Sequence, residues 1–153
     1  MSDVRVEGGL LTAPFILEYS YKRAVGPVIG AFLTALRDGK ILGGKTARGP
    51  VICPPHEYDP ETGEDIGELV EVGPGGTLVS FARVHEPLDS HPKQEPFAFA
   101  VVRLDGADTA MTHVVLADDL SALRAGDRVR AVFREERVGF ITDIDHIAPE
   151  AKP

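Results

Sequence analysis

The sequence predicts a mainly β protein: a closed five-stranded barrel, preceded by an N-terminal helix and a small knuckle rich in glycine and proline. Three observations predict it. Five short runs between Gly76 and Ile147 read as strands separated by turn residues, the last two alternating with a period of two. One helical repeat, Ile29, Phe32, Leu33 and Leu36, lies upstream between a proline and a glycine. Between the two, GGKTARGPVICPPHEYDPETGED (Gly43 to Asp65) has the punctuation of two tight turns and few apolar residues.

Residues 1–39 form the first zone, an arm and a helix. Phe15, Leu17, Tyr19 and Tyr21 alternate with other residues, the period of an extended segment. Pro27 suits a first helical position, and Gly39 suits the residue just past a helix end. The apolar face of this helix needs cover, from the rest of the chain or from a partner. Phe15, Tyr19, Tyr21 and Phe32 are the candidate partner-interface residues. Residues 40–67 form the second zone, the knuckle, with few core candidates.

Residues 68–150 form the third zone. GTLVSFARV (Gly76 to Val84), FAFAVVRL (Phe97 to Leu104) and MTHVVL (Met111 to Leu116) read as the first three strands. DDLSALRAG then breaks the pattern: Asp118 or Asp119 can cap a short helix, Leu120 and Leu123 face inward, and Gly126 ends it. RVRAVFRE (Arg128 to Glu135) is the fourth strand and GFITDIDHI (Gly139 to Ile147) the fifth, with Phe140, Thr142 and Ile144 alternating against Ile141, Asp143 and Asp145. Five strands with a short helix between the third and fourth is the order of an OB-fold barrel, whose closure hides the edges of short strands.

Bulk properties narrow the function. The chain has 153 residues, enough for one core, with 43% apolar and 26% charged residues. Its net charge of −8 disfavours binding to nucleic acid or to anionic membranes. An OB barrel that grips single strands wants exposed aromatics in a basic groove, and this chain has no tryptophan. The single cysteine, Cys53, precludes an internal disulfide and suits a reducing cytoplasm. MSDVRVEGG lacks the basic and apolar regions of a secretory leader, and no apolar run is long enough to span a bilayer.

No catalytic signature stands out. The five histidines show no HExxH spacing, and no GxSxG, GxxxxGK[ST] or GxGxxG occurs. GPGG (Gly73 to Gly76) reads as the turn into the first barrel strand rather than a phosphate cradle. Cys53 and His56 are held apart by Pro54 and Pro55, and Cys53-x-x-His56-x-x-Asp59 lacks the paired turns that preorganise tetrahedral zinc.

The order of zones, with GAFLTALRDGKILG running into the knuckle and DIDHIAPE closing the chain, resembles the zinc-ribbon OB-fold proteins of acyl-CoA metabolism. That family was long catalogued as domain of unknown function thirty-five. The resemblance runs from about Phe15 to Pro149. The family's rubredoxin-like ribbon reads CxxCGxxxxPP and then a second CxxC. Here Lys45 and Arg48 stand at the first pair, followed by Gly49 and Pro54-Pro55. Asp59 and Thr62 stand at the second pair, followed by Gly63. Every landmark keeps its spacing and all four ligands are gone, so the ribbon is degenerate and zinc is not expected.

The resemblance implies a non-catalytic accessory subunit. It would bind a thiolase-fold enzyme (a thiolase, an acyltransferase or a lipid-transfer-protein-like retro-aldolase, as in steroid side-chain degradation) and help form its acyl-CoA site. No cofactor would be held tightly, and acyl-CoA would be a ligand of the hetero-oligomer. Arg83, His85, Lys93 and Arg103, on or between the first two strands, are the candidates for the phosphates of coenzyme A. The alternatives are a free-standing acyl-CoA or lipid-binding OB-fold module and an enzyme in its own right. With zinc gone, Lys45 and Arg48 can face Asp59, with Glu57 and Glu61 near. An exposed ion pair contributes only ~0–1 kcal/mol, so the knuckle is expected to lean on the barrel, the helix or a partner.

Overall fold

The computed structural model describes residues 5–150 apart from Pro14 and Arg23. The chain opens with a hairpin, β1 (Arg5–Glu7) and β2 (Leu10–Thr12), that alternation did not predict. Gly8 and Gly9 between the strands both have positive φ, as a two-residue hairpin turn requires. An extended, exposed stretch follows, carrying Phe15, Leu17, Tyr19 and Tyr21.

Helix α1 (Pro27–Arg37) starts on the expected proline. Its end is closed by two backbone bonds, Gly39 N–H to Leu36 C=O at 2.9 Å and Lys40 N–H to Ala35 C=O at 2.9 Å, the paired closure that accompanies a glycine stop. The buried face is Val28, Phe32 and Leu36, with Leu33 packed beside it. Phe32 is only 4% exposed and lies in the main core. Its assignment to a partner interface is therefore corrected: this chain's own core already covers the ring.

The knuckle is a three-stranded sheet in the order β4–β3–β5, built from β3 (Ile41–Lys45), β4 (Val51–Ile52) and β5 (Glu68–Val72). Contrary to the expectation of few core residues, it buries Ile41, Ile52, Cys53 and Ile66, and also Thr46 and Asp59. Ile41, Cys53 and Val72 join helix and barrel side chains in one apolar cluster. Composition hid this, because a short sheet with glycine-lined faces needs only a few apolar residues to fill it.

The barrel closes in the order β10–β8–β7–β6–β9, from β6 (Gly75–Val84), β7 (Phe97–Leu104), β8 (Met111–Val115), β9 (Arg128–Phe133) and β10 (Ile144–Pro149). Leu78, Val102, Val115, Val129 and Ile147 point inward and are fully buried, while Phe97 is buried on the other face of β7 against His91 and Phe99. The helix expected after β8 is a single 3-10 turn, Leu120–Ala122, capped by the Asp119 carboxylate accepting from Ser121 N–H at 2.8 Å. Leu120 and Leu123 face inward as expected.

Two departures shape the binding face. The fifth strand starts at Ile144, not Gly139, because Ile141–Asp143 form a 3-10 turn. The buried Asp143 carboxylate accepts from Val138, Gly139 and Phe140 N–H at 3.1, 2.7 and 3.2 Å, which ties that segment into a loop. Burial alone would raise the Asp143 pKa, but these three donors outweigh it and hold the carboxyl below its ordinary value. The second departure is the seam. β8 and β10 run parallel and meet at one register pair, Ile147 with Val115, so the barrel wall opens on either side of it.

Candidate functional site

The knuckle turns come first, since they stand where the ribbon's ligands would. Thr46 N–H bonds Pro50 C=O and Gly49 N–H bonds Thr46 C=O in the first turn. Asp59 N–H bonds Glu64 C=O and Gly63 N–H bonds Asp59 C=O in the second. Gly49 and Gly63 have φ of 107° and 75°, the left-handed conformation that each turn requires of its glycine.

The expected meeting of Lys45 and Arg48 with Asp59 does not occur. Lys45 pairs with Glu68 at 3.2 Å and Arg48 with Glu61 at 3.0 Å. Asp59 is buried and accepts from Glu61 N–H at 2.8 Å, while Thr62 Oγ1 bonds Glu64. An ammonium and a guanidinium offer zinc no lone pair, so the residues at these four positions do not fit a zinc ion. Among the described residues no group of three or more His, Cys, Asp or Glu side chains is arranged to hold a metal.

What holds the knuckle is a set of ties, half-buried at Glu57 and Thr109 and exposed at Asp108. The Glu57 carboxylate accepts from Val28 and Ile29 N–H at 3.2 and 3.0 Å, capping α1 from across the fold. Gly26 before the helix has φ of 91°, and a side chain there would collide with that carboxylate. On the barrel side, Val51 N–H donates to Asp108 at 2.7 Å and Asp108 N–H donates to Val51 C=O at 2.8 Å. Thr109 Oγ1 accepts from Cys53 N–H at 2.8 Å and donates to Cys53 C=O at 3.0 Å. Cys53 itself is sealed in, and burial pushes its thiol up to about 12, far from a thiolate at neutral pH.

The second candidate is a cleft of about 240 Å³ beside the seam. It lies between the loop joining β6 to β7 and the loop joining β9 to β10, the two loops that with the middle strands form the ligand face of OB barrels. Phe99, Val114, Ile141 and Ile144 supply apolar walls, and Lys93, Arg134, His113 and Asp145 supply charge and polarity. The first loop is organised by His91, whose Nδ1 accepts from Leu88 N–H at 3.0 Å and whose ring stands edge-on to Phe97 and Phe99.

A β-bulge between Ile144 and His146 makes Asp145 an extra residue in the ladder with β9. Asp145 then gathers three partners: His146 Nδ1 at 2.8 Å, Lys93 Nζ at 3.0 Å and Arg134 Nε at 3.3 Å. The His146 contact first, and then Lys93, hold the Asp145 carboxyl down at about 2. Burial holds His113 below the ordinary histidine value, so its ring is neutral at neutral pH. On the far side of the seam lies a wider open groove of about 710 Å³, lined by Glu95, Asp118, Asp119, Asp127 and Glu150 around Leu116 and Leu123.

The four residues expected to meet coenzyme phosphates do not converge. Lys93 enters the cleft. Arg83 is committed elsewhere: it donates to the carbonyls of Leu120 and Leu123 at 2.7 and 3.3 Å and covers the Phe81 ring at 4.8 Å, so it clamps the 3-10 turn. His85 is exposed just past the end of β6. Arg103 is exposed four residues beyond Phe99 on β7, about 13 Å along the strand. Sequence reading missed Phe99, His113, Arg134 and Asp145 as a set. The bulge that joins Asp145 to His146 leaves no mark in an alternating pattern. Phe15, Tyr19 and Tyr21 are 87, 76 and 78% exposed, available to a partner.

A closed five-stranded barrel with this strand order, a 3-10 turn between its third and fourth strands, and a cleft at its loop face is an OB-fold. The description "ChsH2, C-terminal OB-fold domain" matches residues 69–134. The chain is an OB-fold protein whose barrel segment is similar to the ChsH2 C-terminal domain. Two solved structures share the fold. One is a protein of unknown function from the DUF35 family of Sulfolobus solfataricus, with a TM-score of 0.59 and 18% identity over 71% of this chain and 77% of that one. The other is a chain of an Ltp2-ChsH2(DUF35) aldolase, with a TM-score of 0.60 and 18% identity over 84% of this chain and 95% of that one. No curated protein matches the chain significantly. Among the described residues no helix is long and apolar enough to cross a membrane.

Proposed function

We propose that this chain is a non-catalytic accessory subunit of the cytoplasm. It binds a thiolase-fold or lipid-transfer-protein-like enzyme that forms or cleaves a C–C bond next to an acyl-CoA thioester, and helps form that enzyme's acyl-CoA site. One observation carries the reading: 84% of the chain shares its fold with nearly all of a chain from the Ltp2-ChsH2(DUF35) aldolase. Two structural features support it. The arm presents Phe15, Tyr19 and Tyr21 to solvent next to a helix whose own apolar face is already satisfied, the disposition of an anchor for a second surface. The nucleophile candidate Cys53 is sealed and protonated, which leaves covalent chemistry to the partner. The knuckle works without zinc in this reading, through the Glu57, Asp108 and Thr109 ties.

The test is co-expression with thiolase-like enzymes encoded beside this chain, followed by size-exclusion chromatography. A stable hetero-oligomer is expected. Replacing Phe15, Tyr19 and Tyr21 together by serine should weaken it at least tenfold while the isolated chain melts unchanged. A folded chain that associates with none of them at micromolar concentration would overturn the reading. The loop-face cleft favours a second reading, a free-standing acyl-CoA or lipid-binding module, which a monomer binding acyl-CoA unaided would support.

A further inference from the structure

We infer that the cleft between the β6–β7 and β9–β10 loops is a binding site for a small oxyanion carried on an apolar body, held by Arg134 and Lys93 against Phe99, Val114, Ile141 and Ile144. This goes beyond the accessory reading: it rests on the barrel alone and needs no partner.

Charge balance is the first argument. Two permanent cations converge on one carboxylate, Lys93 at 3.0 Å and Arg134 at 3.3 Å from Asp145. The Lys93 side chain is 18% exposed and the Asp145 side chain 29%, so water screens them only in part. His113, the other titratable group in the lining, is neutral at neutral pH, and Asp143 is turned into its own loop by three backbone donors, with Arg137 as its counter-charge. One positive charge is left over at a half-buried site, and an incoming anion is the partner that would balance it. Arg134 also presents a planar fork suited to a carboxylate or phosphate.

Shape is the second argument. At roughly 30 Å³ for each water-sized unit, 240 Å³ holds about eight, enough for a short aliphatic or aryl group but not for a whole coenzyme. The walls are apolar, and the exposed Val138 and Phe140 extend that surface outward along the loop. The groove across the seam makes the contrast: it is larger, and Glu95, Asp118, Asp119 and Asp127 give it an acidic lining, while Glu150 is paired with Arg128 and Arg130. The molecule thus favours an anion on one side of the seam over the other.

The oxyanion can come from a free carboxylic acid or from the phosphate end of a coenzyme, and two probes separate them. Full-length protein is titrated by calorimetry with octanoate and with coenzyme A, and amide shifts are mapped by NMR. Octanoate should bind at least tenfold more tightly than octanol, and should weaken at least tenfold in Arg134→Gln and in Lys93→Met. Wild-type shifts should centre on Phe99, Thr112 to Val114 and Ile141 to Asp145, a readout that needs no variant to fold. Displacement of octanoate by coenzyme A assigns the site to phosphate; octanoate binding without displacement assigns it to a carboxylate. Binding of neither probe, equal binding of octanol, indifference to both substitutions, or shifts centred on Leu116 to Leu123 would each overturn the inference.

Discussion

Replacing Glu57 tests what ties the knuckle to the helix. Helix α1 begins with a proline, which has no N–H, so its first backbone donors in need of partners are Val28 and Ile29. Those are the groups an N-cap side chain normally serves, and Gly26 has no side chain to do it. Glu57 serves both from the knuckle, 28 and 29 residues away, at 3.0 and 3.2 Å. An N-cap contributes about 0.5–2 kcal/mol, and a carboxylate at the positive end of a helix adds about 0.3–1 kcal/mol. Glu57→Ala should therefore cost about 1–2 kcal/mol, and Glu57→Gln, which keeps an uncharged acceptor, about half that. For a chain of this size each kcal/mol moves Tm by about 2–4 °C, so the alanine variant should melt roughly 2–8 °C lower. Urea melts followed by circular dichroism give the free energy. Hydrogen exchange at Val28 and Ile29 shows whether the loss sits at the helix start. If the alanine variant matches the wild type in both, Glu57 is not the tie between helix and knuckle, and this account of the knuckle fails.

Three further outcomes are expected. The Asp145 carboxyl is held at about 2 in the folded chain, below its unfolded value, so its contribution is complete above about pH 5 and is lost as pH falls through 4 toward 2. The shift caps that contribution at about 2 kcal/mol, solvent screening brings it nearer 1, and Asp145→Asn should flatten acid denaturation in that window. Arg48 and Glu61 are mostly exposed, so Arg48→Ala should change stability by less than about 1 kcal/mol, and a chelator should leave the urea midpoint where it was. Phe32→Ala should cost about 3–5 kcal/mol in the isolated chain, whereas an interface residue would leave the isolated chain unchanged and weaken only the complex.

The barrel was legible because its strands obey a local rule. Apolar residues at every second position of β9 mark a buried face whatever packs against it, β6 and β7 are apolar runs bounded by turn residues, and Pro27 and Gly39 mark a helix by backbone geometry alone. The glycines of the knuckle were legible for the same reason: left-handed turns demand them locally. The candidate site was much less so. Lys93 and Arg83 read alike as cations on or between the first two strands, because sequence shows a charge and not what the charge touches. Only the fold commits Arg83 to the carbonyls of Leu120 and Leu123. The fifth strand was drawn too early because Asp143 looks like an outward residue of an alternating run until its three backbone donors are seen.

Alternation, turn residues and spacing by themselves determined that this chain folds as a helix, a glycine- and proline-rich knuckle and a five-stranded barrel. Each of those follows from contacts between near neighbours along the chain. Tertiary structure alone decided that Phe32 is core, that Glu57 rather than Asp59 ties the knuckle down, and that Asp145 meets Lys93 across 52 residues. The physical reason is that a charge finds its partner through the closed path of the barrel and the bulge in β10, and a sequence pattern with a period of two or 3.6 residues carries no information about either.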